Sequence, residues 1–136
     1  MPDADVAIKV FLADSSILIR DRVAAMLGAR GMNIVGHATT PGDAIDGILV
    51  ARPDVVVLDV QLEGGTGLQV LRAVRLQEPR IAFVVFSLHS DPAIRLHYLG
   101  EGAKCFIDKA TEIDLLSSAI DHLARVASVK PVFRRL

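Results

Sequence analysis

Residues 53–67 read PDVVVLDVQLEGGTG, and this stretch decides the fold. A run of branched apolar side chains, Val55 to Leu58, ends in a carboxylate at Asp59. Such a short run bounded by turn formers marks a strand buried on both faces. Glycines at 64, 65 and 67 break the run, and Leu68, Val70, Leu71 and Val74 then mark one side of a helix. Outward from this unit the alternation repeats. Ile8 to Ala13, Met32 to His37, Ile81 to Ser87 and Lys104 to Ile107 read as buried strands, with Val55 to Asp59 third in chain order. Ile19, Val23, Met26 and Leu27 share one side of the first intervening helix.

Helix boundaries are also legible. Thr40-Pro41 and Asp91-Pro92 each place a capping side chain before a proline suited to the first helical position. Thr111 followed by Asp114 predicts a capping box for the last helix, whose stripe begins Ile113, Leu115, Leu116, Ile120 and which ends near Val126 to Ser128. Gly28, Gly31, Gly100 and Gly102 fall where helices stop. Five βα units imply a parallel sheet with helices on both faces, because right-handed crossovers leave few alternatives. Five strands are too few for an eight-stranded barrel, so the expected fold is an α/β doubly wound open sheet.

Composition narrows the class of function. The 136 residues suit one domain, and the 51% hydrophobic content excludes a disordered tail. Mean hydropathy is +0.43. Fifteen basic against sixteen acidic residues give a net charge of −1, with no electrostatic footprint for nucleic acid. A single cysteine, Cys105, leaves no disulfide framework or multi-cysteine metal site and reads as a packing residue. No apolar stretch reaches a membrane span, and the start, MPDADVAIKV, is acidic where a signal peptide is basic. The expectation is a soluble, cytoplasmic domain over residues 8–128, with an N-terminal extension at 1–7 and a short basic tail at 129–136.

In doubly wound sheets the ligand site lies at the carboxyl ends of the strands. Asp14, Asp59, Ser87 and Lys109 stand at those ends. Singly, each has a plain reading as a turn former, cap or solvated lysine; together at one sheet edge they point to chemistry. If strands one and three are neighbours, Asp14 and Asp59 converge, and two carboxylates there need a cation between them. Mg2+ is the natural oxygen-liganded ion, and Lys109 adds positive charge. A carboxylate can attack phosphorus to form an acyl phosphate, and the metal, Lys109 and the Ser87 hydroxyl would balance charge on the equatorial oxygens.

VFLADSS, RPDVVVLDVQLEGGTGLQVL, FVVFSLHS and GAKCFIDKA, taken in order, resemble the motifs of the receiver domain of bacterial two-component response regulators, over about residues 8–127. The resemblance implies the flavodoxin-like (βα)5 sandwich with strand order 2-1-3-4-5. It implies Asp59 as phosphoacceptor, charged by a sensor histidine kinase or histidine phosphotransfer protein. Asp14 matches the first of two acids after strand one, Ser87 the switch hydroxyl, Lys109 the phosphate-pairing lysine and Phe106 the switch aromatic. Gln61 and His89 match positions that tune dephosphorylation in the family. Mg2+ would be held by Asp14, Asp59 and the backbone carbonyl of Gln61.

Departures are informative. The family's second acid is Ser15 here, and its usual prolines are replaced by Glu63 and Ala110. Loss of a carboxylate at 15 implies weaker Mg2+ binding and slower phosphorylation. His37, His89, His97 and His122 lack ligand spacing, and the Gly64-Gly65-x-Gly67 turn is no dinucleotide fingerprint. Few residues follow the last helix, so the reading is a receiver-only protein whose output is contact with a downstream protein target, with homodimer formation left open. Any catalysis would be at most Mg-assisted self-phosphorylation and self-dephosphorylation, without turnover of another substrate. Two other readings stay open: a degenerate receiver that binds partners without phosphorylation, and a flavodoxin-like enzyme or nucleotide binder.

Overall fold

The computed structural model describes residues 6–128. Five strands, β1 (Lys9–Ala13), β2 (Asn33–Ala38), β3 (Val55–Leu58), β4 (Ala82–Ser87) and β5 (Cys105–Asp108), form one parallel sheet. Their order is β2-β1-β3-β4-β5, the expected doubly wound arrangement. The strand limits differ from the sequence reading by a residue, as ladder ends commonly do. Most of the N-terminal extension at 1–7, and the whole tail at 129–136, lie outside the described residues.

The period of two along each strand sorts the core onto two faces. Phe11, Val56, Leu58, Phe83 and Val85 meet α2 (Pro41–Ala51), α3 (Gly67–Gln77) and α4 (Pro92–Gly100) on one side. Val10, Leu12, Val55, Val57, Val84 and Phe86 meet α1 (Ile17–Gly28) and α5 (Leu116–Ser128) on the other. Every residue of β3 is buried, which is why its sequence is an unbroken apolar run rather than an alternating one. Full burial of one such side chain contributes roughly 1.5–3 kcal/mol.

Thr40 and Asp91 cap α2 and α4 as read from the sequence, accepting the amides of Asp43 and Ile94. Ser16 caps α1 in the same way, accepting the Ile19 amide. The last helix departs from expectation. No capping box forms at Thr111, because its amide is already given to the Asp108 carboxylate. A single 3-10 turn, Ile113–Leu115, leads into α5 instead, and Leu115 faces solvent rather than the core.

A second departure lies after β3. Residues 61–62 and 65–66 pair as a short antiparallel hairpin, its turn closed by Gly64 at φ +76°. This hairpin delivers the chain to α3 at Gly67, whose backbone packs on that of Asp59. A Cβ at Gly67 would stand 2.2 Å from the Asp59 carbonyl oxygen, so only glycine fits there.

Candidate functional site

Three strands end in step. The amide of Asp14 donates to Ala38 O at 3.1 Å, that of Asp59 to Ala13 O at 2.9 Å, and that of Lys109 to Ser87 O at 2.9 Å. Each residue thus sits one step beyond its strand, tied to the neighbouring one, so all three emerge at the same sheet edge. Their side chains meet there. Lys109 Nζ lies 2.7 Å from Asp14 Oδ2 and 2.9 Å from Asp59 Oδ2. All three residues are buried.

One ammonium between two carboxylates leaves a net charge of −1 in a site with little solvent. Asp14 has both oxygens occupied, since its Oδ1 accepts the Ser16 amide at 2.9 Å. Asp59 does not: its Oδ1 is buried with no hydrogen-bond partner. Leaving such an oxygen unpaired costs about 1–3 kcal/mol, more for a charged group. An unpaired carboxylate oxygen beside a second carboxylate fits a hard divalent cation. The donor set is lean, however. No group of three His, Cys, Asp or Glu side chains suited to a metal gathers anywhere among the described residues, and Ser15 is exposed.

The remaining predicted residues lie on β4, β5 and the segments that follow β3 and β4. Ser87 is fully buried at the end of β4, its hydroxyl oxygen accepting the His89 amide at 3.0 Å. His89 and Gln61 are exposed on the segments that follow β4 and β3. Phe106 is buried: its ring stands edge-on to Tyr98 at 6.4 Å, with the Arg95 guanidinium 4.9 Å from its centroid. Tyr98, missed in the sequence, closes the gap between α4 and the loop after β3, its hydroxyl reaching Val60 O at 3.4 Å. Burial, with the charge of Asp59 adding to it, pushes the Tyr98 phenol up. Burial likewise raises the half-buried Cys105 thiol, in keeping with its packing role.

Residues 10–121 match the family model of the response regulator receiver domain. The chain belongs to that family. Receiver domains generally bind Mg2+ at the phosphorylation site. The probable transcriptional regulatory protein NarL of Mycobacterium tuberculosis is 33% identical over 116 residues, covering 84% of this chain and 54% of that protein. The signal receiver domain of the putative response regulator NarL from Mycobacterium tuberculosis superposes with a TM-score of 0.81 at 32% identity, covering 88% of this chain and 97% of that one. The BeF3-activated N-terminal receiver domain of Klebsiella pneumoniae RstA gives a TM-score of 0.79 at 25% identity, covering 86% and 98%. This receiver chain spans about half the length of the first curated relatives it matches. Among the described residues no helix is long and apolar enough to cross a membrane.

Proposed function

We propose that this receiver accepts a phosphoryl group on Asp59 from a histidine kinase or histidine phosphotransfer protein, in the cytoplasm, and passes the signal on by a protein contact. The observation that carries the reading is the buried, unpaired Oδ1 of Asp59 beside a lysine shared with Asp14. In the transfer a bond forms between an Asp59 carboxylate oxygen and phosphorus. The bond from phosphorus to the donor's imidazole nitrogen breaks, and the imidazole leaves. Lys109 holds Asp59 by its other oxygen and supplies positive charge where the equatorial oxygens gather negative charge. Asp14 keeps that ammonium in place. Mg2+, held by Asp14, Asp59 and the Gln61 backbone carbonyl, would supply further charge neutralisation. Gln61 and His89, exposed on the loops that follow β3 and β4, would tune loss of the phosphoryl group.

The test is intact-mass analysis after incubation with Mg2+ and a small phosphodonor, with peptide mapping of the product. One phosphoryl group on Asp59 is expected; none at all, or one elsewhere, overturns the reading. A second reading, partner binding without phosphorylation, draws on the exposed Ser15, which leaves the site one carboxylate short of the family's usual set. It gains if no label appears.

Ser15 makes a separate prediction. A carboxylate added near 4 Å from the divalent ion at a surface-like dielectric is worth up to about 8 kcal/mol before screening and desolvation. After those costs Ser15→Asp is expected to tighten Mg2+ binding by ~1 kcal/mol, several-fold in affinity, and to speed labelling. Calorimetric titration giving equal affinities would show that position 15 does not limit the metal site.

A phosphoryl group on Asp59 would be read through Ser87 and Phe106. The Ser87 hydroxyl, which now only accepts from His89, still has its proton to donate. Because the Phe106 ring is already buried in the structure, the switch would act by repacking it against Tyr98 rather than by burying an exposed ring. Ser87→Ala is expected to take the label yet lose most of its phosphate-dependent change in partner binding or self-association. A full response in that variant would remove Ser87 from the relay.

A further inference from the structure

Asp108 takes no part in the chemistry above, yet its carboxylate joins two loops at this edge of the sheet. Oδ1 accepts the amides of Ala110 at 2.8 Å and Thr111 at 3.1 Å, the two residues after Lys109. Oδ2 accepts the hydroxyl of Ser90 at 2.5 Å, on the loop between β4 and α4. The Asp108 amide donates to Glu112 Oε1 at 2.9 Å, and that same oxygen lies 3.8 Å from the Arg95 guanidinium on α4. The loop reached by Ser90 is the one folded over Ser87, whose hydroxyl accepts the His89 amide. Asp91, next in sequence, caps α4. These bonds, Ser90 foremost, hold the Asp108 carboxyl below its usual range, so it is a full anion at neutral pH.

We propose that Asp108 is a positioning residue, a latch through Ser90 that makes the Lys109 segment and the Ser87 loop move as one unit. The proposal rests on the phosphoryl-acceptor reading, which makes Lys109 and Ser87 the two groups that meet the incoming phosphoryl oxygens. The sheet ladder already ties the Lys109 amide to Ser87 O, but without the latch the loops beyond it, at 88–91 and 110–112, sample their own arrangements, and the two side chains align only in a fraction of them. Held by one carboxylate, they are aligned before the phosphoryl arrives, and that alignment speeds transfer without any contact to the reacting atoms. Ser90 is therefore the place to cut the link, because its removal leaves Asp14, Asp59, Ser87 and Lys109 intact.

The experiment uses the full chain and three variants. Amide exchange at His89, followed by NMR without phosphodonor, reports whether the Ser87 loop is held. Labelling by a small phosphodonor with Mg2+, followed by intact mass, reports alignment. Ser90→Ala is expected to speed exchange at His89 about tenfold, as loss of a charge-assisted hydrogen bond does, and to slow labelling about fivefold. Ser90→Thr, which keeps the hydroxyl, is expected to restore both, a rescue that a general loosening of the fold would not give. Asp108→Asn, which keeps an acceptor but not the charge, is expected to fall between. Parent-like exchange in Ser90→Ala overturns the latch, and faster exchange with parent-like labelling overturns its positioning role. If the parent itself takes no label, the phosphoryl reading falls, and exchange at His89 alone then decides for or against the latch.

Discussion

Asp59→Asn is expected to gain no phosphoryl mass under conditions that label the parent completely, while folding at least as stably. The two halves of this result have one cause. The amide oxygen of asparagine is a poor nucleophile, so the bond to phosphorus does not form. The same change removes one of two buried carboxylates that share a single lysine. Lys109 keeps Asp14 at 2.7 Å, and the repulsion between the two acids disappears. A stabilisation of ~1 kcal/mol is expected, about 4 °C in melting temperature for a domain of this size. Mass spectrometry and thermal denaturation on the same sample check both. A variant that still takes up the full label would remove Asp59 from its proposed role. One that melts well below the parent would show that the carboxylate pair is not in repulsion.

Lys109→Met is expected to have the larger effect on stability and a comparable one on chemistry. Methionine fills most of the space of the lysine stem but brings no charge. Asp14 Oδ2 and Asp59 Oδ2 both lose their partner, and Asp59 Oδ1 already has none. Removing one member of a buried ion pair typically costs about 3–5 kcal/mol, because the charge left behind is neither paired nor hydrated. Labelling is expected to slow by about 100-fold or more, the usual consequence of removing a preorganised positive group. Denaturant melts and a time course of labelling measure the two. The double variant Lys109→Met with Asp59→Asn separates them: stability should recover in part while labelling stays absent. If the double variant is no more stable than Lys109→Met alone, the carboxylates are not the source of the loss.

Much of this arrangement was legible in sequence because it depends on patterns that burial enforces. Val55 to Leu58 have no solvent face, so their run of branched residues announced both a strand and its central place. Asp14, Asp59 and Lys109 were found by the rule that function gathers at carboxyl ends of strands, and the side chains do converge. What escaped notice is held by main-chain bonds and turn chemistry. The hairpin at 61–62 and 65–66 is too short to show any period. Asp108 competes with Thr111 for the role of turning the chain, and nothing in FIDKATEID says which wins. Tyr98 reads as an ordinary apolar residue until its edge-on contact with Phe106 is seen.

The site takes its side chains from the first, the middle and the last strand of the sheet, and this has a consequence for the newly made chain. Asp59 leaves the ribosome 50 residues ahead of Lys109, an interval of roughly 3–10 s at ordinary rates of synthesis. Throughout that interval the growing polypeptide carries the aspartate without its ammonium. Only docking of β5 against β4 brings the two together. A truncated or half-made chain therefore lacks the assembled cluster, and the proposed acceptor reaches its full working form only after translation has run past the last strand.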